Sequence, residues 1–230
     1  MIPIGDVNKS YTRPWITYLL IIINFLVFLY EESLPYMELN SFIYHYGFIP
    51  QRFLHALNNG NILSAFVPVF SSMFLHGGWE HIIGNMLYFY IFGDNVEDRC
   101  GHLRFLAFYM LSGIGATAVH FLSDPHSPIP AVGASGAISG LLGAYVLLFP
   151  QAQIRTLVIY GFFLRLVLVP AFLYIGFWFL MQLLFAMLPT YMGIAYWAHI
   201  GGFLTGLILI KLLARRRRPT PIYQVYYHYV

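Results

Sequence analysis

The run Gly133-Ala134-Ser135-Gly136-Ala137-Ile138-Ser139-Gly140-Leu141-Leu142-Gly143-Ala144-Tyr145-Val146-Leu147-Leu148-Phe149 carries no charge and places glycine at 136, 140 and 143. An uncharged apolar stretch of this length reads as a helix in a membrane rather than a core strand. Its glycines recur at helical spacing and form a ridge on which another helix can approach backbone to backbone. The stretch from Trp197 to Leu213 has the same character, with Gly202 and Gly206 as its ridge. Each ridge bears one polar group near its upper end, Ser135 on the first and His199 on the second.

Outward from this pair the chain is apolar almost throughout. Of its 230 residues 59% are hydrophobic and 9% charged, against about 25% charged in an ordinary soluble domain. So few charges cannot cover a water-facing surface, and the class is an integral membrane protein. Cutting at polar residues and at Pro/Gly gives six segments: 15–30, 81–93, 105–122, 133–149, 170–188 and 197–213. The first opens with Trp15 and ends at Tyr30-Glu31-Glu32 without a small-residue cleavage pattern, so it is expected to be retained. Residues 155–169 are apolar but follow Pro150 and contain Arg165. They are expected to hug the membrane rather than cross it, with a seven-span count as the alternative.

The expected fold is an all-α polytopic bundle of six transmembrane helices at 15–213. Residues 1–14 precede it on the cytoplasmic side, and a basic tail follows at 214–230. With six spans both termini share one side. That side collects Lys9, Arg13, Arg99, Arg104, Arg155, Arg165, Lys211 and the run Arg215 to Arg218, leaving Arg52 alone opposite. This is the distribution of a chain whose termini are cytoplasmic. The Arg215 to Arg218 run directly follows a span, which marks it as an anchor on anionic lipid rather than a nucleic-acid patch. The lone Cys100 excludes an internal disulfide, and the chain shows no internal repeat of the transporter kind.

Polar groups inside spans are costly and mark function. Spans two, four and six run in the same direction, so their starts share one face of the membrane. Ser135 to Phe149 and His199 to Leu213 each correspond to about 22 Å of helix, which sets the two side chains level, about 8 Å below the outer boundary of a ~30 Å hydrocarbon core. A serine hydroxyl becomes a useful nucleophile when a neutral imidazole takes its proton. No Asp or Glu stands nearby in the spans, so a two-residue dyad is indicated. His81 and Asn85, at i and i+4 on the second span, could donate to an oxyanion, alongside the backbone N–H of Ser135 at a helix start.

Each residue alone has a plainer reading. A serine in a span commonly bonds its own i−4 carbonyl, Asn85 could merely tie two helices together, and the two ridges could be packing only. It is their joint occurrence at one depth that favours chemistry. A metal site is disfavoured, since His76 and His81 are five apart and no His-Glu-x-x-His occurs.

Four segments then resemble, in order, the rhomboid family of intramembrane serine proteases: His76-Gly77-Gly78-Trp79-Glu80-His81-Ile82-Ile83-Gly84-Asn85, Phe92-Gly93-Asp94-Asn95-Val96-Glu97-Asp98-Arg99, Gly133-Ala134-Ser135-Gly136, and Ala198-His199-Ile200-Gly201-Gly202. The resemblance implies a six-helix fold, a Ser135 nucleophile with His199 as base, His81 and Asn85 at the oxyanion site, and a supporting role for His76. It implies no cofactor, and substrates that are single-span membrane proteins cut near the outer face. It further implies a polar cavity open to that face, roofed by residues 189–196, with the fifth helix as gate. The short form suggests a bacterial inner membrane.

Two departures from the family accompany it. Ser139 stands where many members have an aromatic that stacks on the histidine, so His199 must be oriented otherwise. No Trp-Arg pair occurs between Tyr30 and His76, which leaves the shape of the first loop open. Two other functions compete with a protease: an inactive rhomboid-like protein that binds transmembrane segments, whose usual sign is loss of the Ser or His, and a transporter or channel lined by the His and Asn groups.

Overall fold

The computed structural model describes residues 1–161, 163–188 and 194–215. The helices α1 (Trp15–Ser33), α2 (Tyr36–Tyr46), α3 (Pro50–Asn58) and α4 (Ile62–Ser71) lead through a 3₁₀ turn to α5 (Trp79–Cys100), and α6 (His102–Ser123), α7 (Ser135–Leu148), α8 (Ala171–Ala186) and α9 (Tyr196–Leu213) follow. Three strands complete the order: β1 (Ile2–Asp6) before α1, and β2 (Gln153–Tyr160) and β3 (Phe163–Pro170) between α7 and α8. Helices α1, α6 and α9 are each long and apolar enough to cross a membrane, and a helical pair bent by 80°, Ile62–Phe74 with Trp79–Cys100, forms a fourth candidate. The chain is a multi-pass integral membrane protein.

The shorter α7 and α8 are apolar too. At 1.5 Å per residue, α7 with its 14 residues is about 21 Å long. Every residue from Gly136 to Tyr145 is buried, so α7 is the central post of the bundle and is wrapped by protein. Its ridge meets α9 as the glycine spacing predicts. A Cβ built on Gly202 would overlap the Gly136 carbonyl, and one on Gly206 would overlap Gly140. On the other side of α7, a Cβ on Gly136 would lie 2.6 Å from Ala116 Cβ, and one on Gly140 2.5 Å from Ser112, both on α6. Helices α6, α7 and α9 are therefore one tight unit held by missing side chains.

Local chemistry sets the ends. Gly101 joins α5 to α6 at φ +79°, in the left-handed region that glycine adopts without a Cβ penalty. Pro170 precedes α8 and gives it its start. The first turn of α1 is capped from a distance: the Glu97 carboxylate on α5, fully buried, accepts from Ile16 N at 3.0 Å, Thr17 N at 2.8 Å and Thr17 Oγ1 at 2.7 Å. Those N–H groups have no partner within their own helix. His102 Nδ1 meets the same carboxylate at 2.6 Å, which ties α1, α5 and α6 together at one end.

The sheet is what the all-α expectation left out. Residues 155–169, read as a membrane-hugging connection, form an antiparallel hairpin in which Gln153 pairs with Pro170 and Tyr160 with Phe163. β1, from the segment 1–14, adds on the other side of β2, Ile2 opposite Leu157 and Asp6 opposite Ile154. Both strands are rich in Val, Ile and Leu, each carries one arginine, and Gly161 at φ +57° breaks the run between them, so backbone pairing satisfies the amides in place of a helix. It does not form a seventh helix. The first loop, whose shape the sequence left open, consists of α2, α3 and α4. The expected roof at 189–196 lies mostly outside the described residues, as do Arg216 to Arg218 and the rest of the tail.

Candidate functional site

Ser135 is the first residue of α7, and His199 sits in the first turn of α9. The close approach of those two helices brings Ser135 Oγ to 2.9 Å from His199 Nε2. The sequence placed both three residues into their spans; the structure places Ser135 at the very start of its helix, where the first-turn amides have no intrahelical acceptor. The preceding Gly133 has φ +126° and donates its N–H to the Ser72 carbonyl at 2.8 Å. That conformation turns the chain sharply into α7 and is one an L side chain rarely adopts.

The other nitrogen of His199 explains how the ring is held without an aromatic at 139. His199 Nδ1 lies 2.8 Å from Oε1 of Gln182 on α8. The rings of Trp178 and Tyr196 flank it at 6.1 Å and 6.3 Å between centroids. Ser139 takes no part in this, since its hydroxyl donates to the Ser135 carbonyl at 2.7 Å, one turn back. Gln182 escaped sequence reasoning although a signal was there. It is the single amide within the apolar run of α8 and should have been counted among the costly polar groups of the spans.

His81 and Asn85 lie one turn apart on α5 and line the same cavity of about 600 Å³ as Ser135, Ser139, Trp178 and His199. Gly77 N donates to His81 Nδ1 at 3.3 Å, which makes Nδ1 the acceptor and leaves the proton on Nε2. That Nε2 edge faces Gly133: a Cβ added there would stand 2.8 Å from Nε2 and 3.6 Å from Ser135 Oγ. Asn85 is buried, and its Nδ2 has no acceptor among the described residues. Buried amide donors are nearly always paired, so this one is an uncommitted donor, closed off from solvent, on a residue that lines the cavity.

His76 lies outside the cavity wall, packed edge-on against His81 at 5.1 Å between ring centroids. Its backbone N–H donates to Glu31 Oε2 at 3.1 Å, and Glu31 is buried at the end of α1. The first helix therefore braces the loop that carries the two histidines, a link the sequence did not show. On the far side of Ser135, Ser72, Thr117 and His120 line a second cavity of about 40 Å³, large enough for one or two waters.

Chemically, the arrangement is a hydroxyl with an imidazole acceptor, a neutral amide on the far nitrogen of that imidazole, and side-chain donors on an opposing helix.

The comparisons with known proteins agree in kind. The Rhomboid domain family model matches residues 64–216, which contain all of these groups. RHOMBOID-like protein 6, mitochondrial, of Arabidopsis thaliana is 34% identical over 139 residues, 60% of this chain and 41% of that one. RHOMBOID-like protein 5 of the same plant is 42% identical over 74 residues, 32% of this chain and 24% of the relative. The candidate rhomboid protease YdcA of Bacillus subtilis (strain 168) is 38% identical over 72 residues, 31% of this chain and 36% of the other. The chain thus spans well under half the length of these relatives. With a family model matched across most of the chain, and the motif-bearing residues gathered around one cavity, the chain belongs to the rhomboid family.

Proposed function

We propose that the chain is an intramembrane serine endopeptidase that cuts transmembrane segments of other membrane proteins near the outer face. The observation that carries this reading is the 2.9 Å contact between Ser135 Oγ and His199 Nε2, on the wall of a cavity large enough to admit a peptide segment. In the reaction, Ser135 Oγ attacks the scissile carbonyl carbon as His199 Nε2 takes the hydroxyl proton. The carbonyl oxygen becomes an oxyanion, received by Asn85 Nδ2–H, His81 Nε2–H and the backbone N–H of Ser135. His199 then gives its proton to the leaving amine as the C–N bond breaks, and an acyl ester on Ser135 remains. Water attacks that ester with His199 again as base, releasing the acid and restoring Ser135.

Six spans complete the proposal: α1, α5, α6, α7, α8 and α9, with both termini on the cytoplasmic side. Helix α7 is shorter than the hydrocarbon core, and its burial within the bundle supports its use as a span that meets little lipid. A bacterial plasma membrane is the compartment we assign, and membrane fractionation of the native cell tests it. The activity is tested by reconstituting the chain in liposomes with a labelled single-span protein. Cleavage within the span that disappears in Ser135→Ala is expected; persistence of cleavage in that variant would sink the assignment.

A further inference from the structure

We propose that Gln182 is a positioning residue that holds His199 in the one neutral tautomer able to accept the Ser135 proton. The inference rests on the proposed function and deepens it. A neutral imidazole carries its proton on either nitrogen. With the proton on Nε2 the ring could only donate toward Ser135 Oγ and would be useless as a base; with the proton on Nδ1, Nε2 is free to accept.

The choice is made by Gln182. Its Nε2 lies 3.4 Å from the Trp178 carbonyl, one turn back on α8, and a carbonyl can only accept. The NH₂ side of the amide is thereby assigned to Trp178, and the oxygen is turned to His199, where Oε1 stands 2.8 Å from Nδ1. An amide oxygen accepts, so Nδ1 must carry the hydrogen. Gln182 is 8% exposed, so solvent does little to compete for that oxygen. Among the described residues no other side chain hydrogen-bonds Nδ1, and the hydroxyl of Ser139, which lines the same cavity, is committed to the Ser135 carbonyl.

The partner is neutral. A carboxylate would both select the tautomer and stabilise imidazolium; an amide selects the tautomer alone. It also comes from α8 rather than from α7 or α9, and stacking of Phe179 on Phe203 at 4.2 Å between centroids holds α8 against α9 next to it. The alignment of the base thus depends on a helix that carries neither member of the Ser-His pair.

The test has two arms. Nitrogen-15 NMR of His199 in Ser135→Ala and Ser135→Ala/Gln182→Leu proteins reads the tautomer without any need for activity. The proton is expected on Nδ1 in the first and at least partly on Nε2 in the second; an unchanged tautomer would overturn the inference even if the chain proves inactive. The second arm measures fluorophosphonate labelling rates of wild type, Gln182→Leu and Gln182→Glu from pH 5 to 9. Gln182→Leu is expected to label about 10- to 100-fold more slowly. Gln182→Glu keeps an acceptor at Nδ1 and is expected to retain labelling, with its acidic limb about one pH unit or more higher as the carboxylate favours imidazolium. If Gln182→Leu does not fold, Gln182→Glu decides: an unmoved limb contradicts the inference. Absence of labelling in wild type alongside the expected NMR result would count against the protease reading and leave the positioning role standing.

Discussion

Gly202 on α9 lies against the Gly136 carbonyl on α7 so closely that a single added carbon would overlap it. This contact, one turn below His199 and next to Ser135, sets the separation of the two helices and so the reach from hydroxyl to imidazole. The obstacle is backbone, which cannot rotate away as a side chain can.

Gly202→Val is therefore expected to destabilise the fold by more than the ~1–3 kcal/mol usual for overpacking, and to abolish labelling of Ser135. Gly176→Ala on α8, where an added Cβ meets nothing within 4 Å among the described residues, is expected to fold as wild type. Thermal unfolding in detergent compares the two, and equal stability would contradict the packing account.

Glu97 closes the opposite end of the bundle by accepting from Ile16 N, Thr17 N and Thr17 Oγ1. Glu97→Ala leaves these donors without a partner in a buried place, and hydrogen bonds to a charged group are worth about 1.5–3 kcal/mol each. A loss of at least ~2 kcal/mol is expected, with the N-terminus of α1 the first region to exchange its amide hydrogens. Unchanged protection at Ile16 and Thr17 would remove Glu97 from this role.

Asp6 on β1 predicts a pH dependence. Burial is the main cause that raises its carboxyl from 3.8 to about 6, with nearby Asp94 adding to it and the Tyr145 hydroxyl and Arg155 opposing. A folded value above the unfolded one means the folded state holds the extra proton between about 4 and 6. This group's contribution is thus fully present below pH 3.8 and is lost as pH rises through about 6. Docking of β1 is expected to tighten as pH falls toward 4, read as slower trypsin cleavage after Lys9, the bond that follows the strand, relative to a control peptide. In Asp6→Asn that trend should flatten.

Asn85→Ala removes a buried amide donor that has no acceptor among the described residues, on a side chain that lines the cavity. If it serves the oxyanion, cleavage of a single-span substrate should fall by roughly 10²–10³ in kcat, as for other donors of this kind, with thermal stability kept within about 1 kcal/mol. A rate within a factor of three of wild type would leave the oxyanion to His81 and the backbone.

The sequence displayed the long elements and the central pair because membranes make polar residues conspicuous and glycine ridges periodic. All six expected segments coincide with helices, although α5 runs from Trp79 to Cys100 rather than ending near Gly93. The apolar boundary stops before Asp94 while the helix continues outside it. The three-stranded sheet escaped because β2 and β3 are as apolar as a span, and β1 is paired across more than 140 residues of chain. Gln182 stood out in the sequence as the single amide in the apolar run of α8, but no motif or matching depth tied it to His199. Its role follows from a distance, whereas Ser135 and His199 share matching motifs and matching depth. The brace from Glu31 to His76 N and the cap from Glu97 to α1 likewise join residues whose spacing in sequence carries no pattern.

The most direct test of the central claim treats purified protein in detergent with a fluorophosphonate probe and maps the adduct by mass spectrometry. The account predicts an adduct on Ser135 in wild type and none in His199→Ala, with both proteins folded. A folded wild type that takes no adduct at Ser135, or a His199→Ala protein that labels as fast as wild type, would contradict it.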